Sequence, residues 1–126
     1  MSVFPESADL KKNVLATRLR NGETFDATCP YRRLLSHLTS RWGTLTLITL
    51  MDGTHRFGEL KRKMGGITDR MLIKTLQELE SATLVHRKVY PVSPPHTEYA
   101  LTASGREAAA HIERLTDWIS NHIDGT

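Results

Sequence analysis

Apolar residues recur along this chain at two spacings, and the switch between them marks the elements. From Asp9 to Arg20, Leu10, Val14, Leu15 and Leu19 fall on one helical stripe, which Asn21-Gly22 stops. Thr28-Cys29-Pro30 starts a second helix, because proline at the first helical position gives up an N–H that would be unpaired anyway. Tyr31, Leu34, Leu35 and Leu38 form its apolar face. Trp42 to Met51 is the most hydrophobic segment and is apolar on nearly all sides, as expected of a helix at the domain centre. Three threonines within it add some strand character. Asp52-Gly53 ends it, and Thr54 to Arg56 reads as a small edge strand.

The pattern then tightens. Phe57 to Met64 is a short helix with Phe57, Leu60 and Met64 inward. Gly65-Gly66 makes a turn, since glycine tolerates positive φ. Thr68 is the expected N-cap of the next helix, and Asp69 suits its positive dipole end. That helix runs to about Ala82, with Met71, Leu72, Leu76 and Leu79 as its buried stripe and Arg70, Ile73, Lys74 and Gln77 opposite. Leu84 to Tyr90 alternates like a strand, and Glu98 to Leu101 is the return strand. Pro91 to Pro95 between them cannot be a central strand, because proline removes ladder donors. Thr102 to about His122 is a long amphipathic helix, apolar through Ala109, Ile112, Leu115, Trp118 and Ile119. Helix, tight turn, helix, then two strands is the plan of a winged helix-turn-helix, a mainly α fold with a small β-wing (α+β).

Composition narrows the function classes. A length of 126 residues is one domain's worth, and 39% apolar with 25% charged residues excludes a long disordered chain. No apolar run approaches the ~18 residues of a membrane span. Met1 to Leu10 lacks the apolar core of a signal peptide. The single cysteine, Cys29, rules out an intrachain disulfide and fits a cytoplasmic protein. The six histidines have no zinc-type spacing, and there is no CxxC, Gly-rich phosphate loop or G-x-S-x-G elbow. The expectation is therefore no enzyme, no metal and no cofactor.

Charge points to nucleic acid. Between His55 and Tyr90 lie eight Lys and Arg against four acids, a net +4, while the whole chain is +3. Positive charge is thus concentrated on the element shaped for a DNA groove. On the helix from Thr68, the residues Thr68, Arg70, Lys74 and Gln77 suit base reading, since Arg grips guanine and Gln pairs with adenine through two hydrogen bonds each. Lys61, Arg62 and Lys63 on the preceding helix suit the phosphate backbone. Arg87 and Lys88 on the first wing strand, and His96 in the wing loop, are the remaining backbone candidates. The bland alternative for all of these is a solvated face, with the wing cations guarding an edge strand.

Cys29 stands at a helix start with Arg32 and Arg33 one turn on, surroundings that favour a thiolate and hence oxidation. The alternative is a small buried hydrophobe.

These pieces together resemble the HxlR-type winged helix-turn-helix regulators. The resemblance covers roughly Cys29 to Trp118. It rests on Cys29-Pro30, Arg41-Trp42, Asp52-Gly53, His55-Arg56-Phe57, Glu59-Leu60 and Ile67-Thr68-Asp69-Arg70-Met71-Leu72. It continues through Leu76-Gln77-Glu78-Leu79-Glu80, Arg87, Pro94-Pro95, Glu98-Tyr99-Ala100-Leu101-Thr102 and Gly105. It implies a homodimeric transcription regulator on double-stranded DNA. Residues 1–28 would be an arm and dimerisation helix, 29–102 the DNA-binding domain and 103–126 a C-terminal dimerisation helix. It also implies a small oxidant or electrophile as signal, because the cysteine of the same Cys-Pro element is the reactive residue in several members. Two departures stand out. Ala82-Thr83 replaces an acidic residue and glycine, which leaves the helix C-cap geometry open, and Thr39-Ser40-Arg41 replaces Gly-Gly-Lys. Two other functions compete: a winged-helix protein-binding module, and a regulator gated by a small apolar ligand near Trp42 and Tyr31.

Overall fold

The computed structural model describes residues 15–22 and 30–125. Residues up to Leu35 and residues from Ser36 onward form separate compact units. In the first, residues 15–20 are helical and end in a turn at 21–22. Leu10, Val14 and Cys29 lie outside the described residues. Helix α1 (Pro30–Thr39) begins at proline as predicted, and none of its residues is buried.

The later elements are α2 (Arg41–Leu50), β1 (His55–Arg56), α3 (Phe57–Met64), α4 (Asp69–Ser81), β2 (Val85–Tyr90), β3 (His96–Leu101) and α5 (Ala103–Asp124). Helix α2 is the hub, packing against α3, α4, α5 and β3. Its threonines do not make it a strand, because their hydroxyls are absorbed locally. Thr46 Oγ1 donates to the Trp42 carbonyl at 2.6 Å, and Thr49 Oγ1 to that of Leu45 at 2.7 Å. Leu47 and Leu50 are buried, but Leu45 is exposed, so α2 is less enclosed than its composition implies. Around it, Leu60, Leu72, Leu76, Leu79, Val85, Leu101 and Ala109 close the core.

The sheet is antiparallel in the order β1-β3-β2. Strand β3 starts at His96, two residues before the expected Glu98, and His96 pairs with Tyr90. Only Val85 of β2 is buried, and Val89 is exposed, because the hairpin leaves the core and becomes a wing. The alternation in that segment describes a strand whose far end has no core to face.

The end of α4 answers the question raised by Ala82-Thr83. Leu84 N–H donates to the Leu79 carbonyl and Thr83 N–H to that of Glu80, both at 2.9 Å. This is the six-to-one and five-to-two pairing of a Schellman cap, with Thr83 in the left-handed position at φ 62°. A β-branched residue there is strained, where glycine would not be. Thr83→Gly is therefore expected to raise stability by about 0.5–1 kcal/mol, the strain relieved less the added chain entropy. Urea unfolding at fixed protein concentration measures it, and a loss of stability would mean that the hydroxyl matters more than the backbone.

Candidate nucleic-acid interface

Helices α3 and α4 are joined by Gly65 and Gly66, both at positive φ (45° and 82°). That turn needs two left-handed residues in succession, which side chains disfavour. Thr68 caps α4 as predicted, its Oγ1 accepting Met71 N–H at 3.1 Å. The hydroxyl proton stays available while the oxygen holds the helix end. On the other side of the turn, Glu59 Oε1 accepts the Arg56 N–H at 3.0 Å. That bond chiefly holds the Glu59 carboxyl below its ordinary value, so its contribution to the α3 start is lost as the pH falls through the lowered value.

One side of α4 is buried through Leu72, Thr75, Leu76 and Leu79. Thr75 takes the place expected for Met71, which is 39% exposed. The reason is angular: positions 72, 75, 76 and 79 share one stripe, and 71 sits at its edge. Arg70, Lys74 and Gln77 are exposed, and neither cation makes an ion pair among the described residues.

The backbone candidates are held differently. Lys61 pairs with Asp69 across the turn, so α3 and the first turn of α4 are tied by charge. Lys63 Nζ lies 3.1 Å from Asp52 Oδ2 and 2.8 Å from His55 Nε2. His55 is buried, and its Nδ1 lies 2.6 Å from the Gly53 carbonyl oxygen. These partners assign the proton to Nδ1 and leave Nε2 to accept from lysine. In the wing, Arg87 Nε is 3.5 Å from Glu80 Oε2, joining β2 to α4. Lys88 Nζ sits 4.9 Å from the centre of the Tyr90 ring. His96 is not in the wing loop: it opens β3, stacks on Tyr90 at 4.8 Å and lies 3.3 Å from Glu98. Arg62 is exposed on α3. Surface pairs such as Lys61–Asp69 are worth about 0–1 kcal/mol, so a phosphate can displace the acid.

Sequence reasoning missed three contacts: Glu80 with Arg87, Asp52 with Lys63, and His37 with Glu78 (Nδ1 to Oε2, 3.0 Å). Each joins separate elements, and the sequence marks only the charges. Among the described residues no cluster of side chains could hold a metal ion, and no helix is long and apolar enough to cross a membrane.

Comparison with known proteins agrees with this geometry. The chain is 47% identical over 109 residues to the HTH-type transcriptional regulator YtfH of Escherichia coli K12, covering 86% of each. The ytfH protein of Salmonella typhimurium superposes with a TM-score of 0.74 at 47% identity, over 82% of this chain and 92% of that one. A structure described as the redox regulator HypR in its oxidized form superposes with a TM-score of 0.66 at 37% identity, over 71% and 93%. The reduced form of the transcriptional regulator YodB from B. subtilis gives 0.64 at 34% identity, over 75% and 93%. The family profile described as HxlR-like helix-turn-helix matches residues 37–126, which contain the interface and its core. With winged-helix transcriptional regulators as its relatives and exposed cations on the outer face of α4, the chain is a DNA-binding transcription regulator, not an enzyme, and it belongs to the HxlR-like helix-turn-helix family.

Proposed function

We propose that this regulator acts in the cytoplasm as a homodimer on a two-fold operator. In this reading Thr68, Arg70, Lys74 and Gln77 face base edges, while Lys61, Arg62, Lys63, Arg87, Lys88 and His96 lie near phosphates. Residues 29–102 carry the DNA-binding role, and residues 1–28 and 103–126 the dimer contacts. The observation that carries it is the outer face of α4, where Arg70 and Lys74 are exposed and hold no acid among the described residues. A cation of that kind is free to serve a base edge, whereas Lys61 and Lys63 must first release an acid. Two recognition helices would enter successive major grooves about 34–36 Å apart.

Paired substitutions test the roles. Arg70→Ala is expected to cost about 1–3 kcal/mol on the preferred duplex and to relax its sequence preference. Lys61→Ala is expected to weaken all duplexes evenly and to lower the salt slope by about one. Equal loss of discrimination from both would contradict the assignment. Binding without salt dependence would favour the protein-binding module instead.

Cys29 is proposed as the gate, on the charge beside it in sequence and on the redox regulators among the relatives. Two Cys29 thiols, one from each protomer, would lose two electrons and two protons to an oxidant and form one intersubunit disulfide. Alternatively, a single thiolate would add to an electrophile. Diamide is expected to abolish a footprint on the protein's own upstream DNA and to leave that of Cys29→Ser intact. A Cys29→Ser footprint that diamide still abolishes would remove the gate and leave the regulator.

A further inference from the structure

A cleft of about 290 Å³ opens between the start of α2 and the recognition helix α4. It is at the small end of ligand sites, which run from about 300 to 1,000 Å³. Trp42 and Met71 give it an apolar part, and Arg41, Lys74, Glu78 and His37 a polar one. Trp42 offers an indole, and Met71 a polarizable thioether of the kind that packs against rings. Met71, at the edge of the buried stripe of α4, borders the cleft.

The charged lining has a definite sign. Arg41 lies over the Trp42 ring, its guanidinium carbon 4.5 Å from the centroid. That stacking fixes the guanidinium plane, and its N–H edge can still meet a carboxylate. Lys74 reaches the cleft from α4. The acid there, Glu78, is engaged by His37 at 3.0 Å. The lining therefore sets two permanent cations, Arg41 and Lys74, against one carboxylate, Glu78, which keeps its charge while His37 holds it to one side. A purely apolar ligand would leave the cations unused, and a polyanion would exceed the volume.

We propose that this cleft binds a small planar aromatic carboxylate of about benzoate size. The ring packs against Trp42 and Met71, and the carboxylate meets Arg41 and Lys74. Because Lys74 lies on the face read above as DNA-contacting, occupation withdraws its ammonium from the duplex and weakens DNA binding. The site does not depend on that reading; only the coupling does. The ligand class also differs from the apolar one that Trp42 and Tyr31 implied, and Tyr31 belongs to the other compact unit.

The test uses the unaltered protein, sodium benzoate and its neutral isostere benzamide. Trp42 and Trp118 give two indole N–H signals in an NMR spectrum. Benzoate is expected to shift the Trp42 signal saturably and leave Trp118 unmoved. Benzamide is expected to bind about tenfold more weakly or worse, since it forfeits charge-assisted bonds. Arg41→Gln is expected to weaken benzoate about fivefold or more. Benzoate and a duplex should each weaken the other's binding by the same factor. No saturable shift, equal affinity for the two compounds, or an unchanged Arg41→Gln affinity overturns the site. Saturable binding at Trp42 with no change in duplex affinity upholds the site and overturns the coupling.

Discussion

Gly105→Ala is expected to destabilise this protein by about 3 kcal/mol or more, while Gly58→Ala, the same chemical change at an exposed position of α3, is expected to stabilise it. Gly105 lies buried in the first turn of α5, directly against the chain that leaves α4. A Cβ there would overlap the Leu84 carbonyl oxygen and lie 2.9 Å from its carbon. Backbone cannot swing aside as a side chain can, so α5 must move away from its seat. That seat is a knot of hydrogen bonds. Thr102 N–H donates to the same Leu84 carbonyl at 3.1 Å, and Thr102 Oγ1 donates to the Thr83 carbonyl at 2.6 Å. The same hydroxyl oxygen accepts Gly105 N–H at 3.0 Å. Shifting α5 also loosens Ala109 and Ile112 from the core. Overpacking of this kind costs about 1–3 kcal/mol before such losses are added. At Gly58 an added Cβ would meet only Arg62 Nη1, at 3.9 Å. There the gain is the ordinary helix preference for alanine, about 0.5–1 kcal/mol. Urea unfolding of the two variants at one protein concentration reads the difference directly. A neutral Gly105→Ala would mean that α5 does not approach Leu84 this closely.

That knot also marks where sequence reading stopped. The helix-turn-helix was legible because Gly65-Gly66, Thr68 and the stripe of Leu72, Leu76 and Leu79 each report on a local event: a turn, a cap, one buried face. The exposed positions of Arg70, Lys74 and Gln77 followed from the same stripe. What was not legible depends on contacts between distant segments. Nothing near Met71 says that the stripe rotates to take Thr75 instead, since two positions on adjacent edges of a helix differ only in what lies opposite. His96 reads as a loop residue because prolines precede it. Its partner Tyr90 sits across the hairpin and sets where the strand begins. Thr83 reads as a poor cap, yet the cap forms, because Leu79 and Leu84 are both buried and hold it shut. The pairing of Glu78 with His37 was hidden for the same reason: 41 positions separate two charges that carry no local sign of each other. The exposure of single side chains on α4 is therefore read from sequence far better than the pairs and the cleft around them.

Trp118→Glu is expected to lower affinity for a two-half-site duplex by about 100-fold or more while leaving the fold in place. Leu115, Trp118, Ile119 and Ile123 follow one another at helical spacing along α5 and are 54%, 61%, 41% and 64% exposed. Single exposed apolar residues are ordinary, but a continuous stripe over the last turns of a long helix is a surface that water disfavours. In the proposed homodimer a two-fold axis brings this stripe against its own copy, so each substitution acts twice. A carboxylate at Trp118 would then be desolvated beside apolar side chains and, near the axis, beside its twin. Trp118 contacts His122 of its own helix by stacking at 4.9 Å and lies outside the core, so helix content measured by circular dichroism should be unchanged. The DNA effect follows from geometry. A dimer that has bound one half-site holds its second recognition helix beside the other, an advantage of about 10²–10⁴ over independent binding. The monomer loses that factor and keeps its half-site affinity. Sedimentation with and without a half-site duplex separates these terms. A Trp118→Glu protein that stays dimeric and binds the full site normally would show that the exposed stripe of α5 is not the surface through which two copies meet.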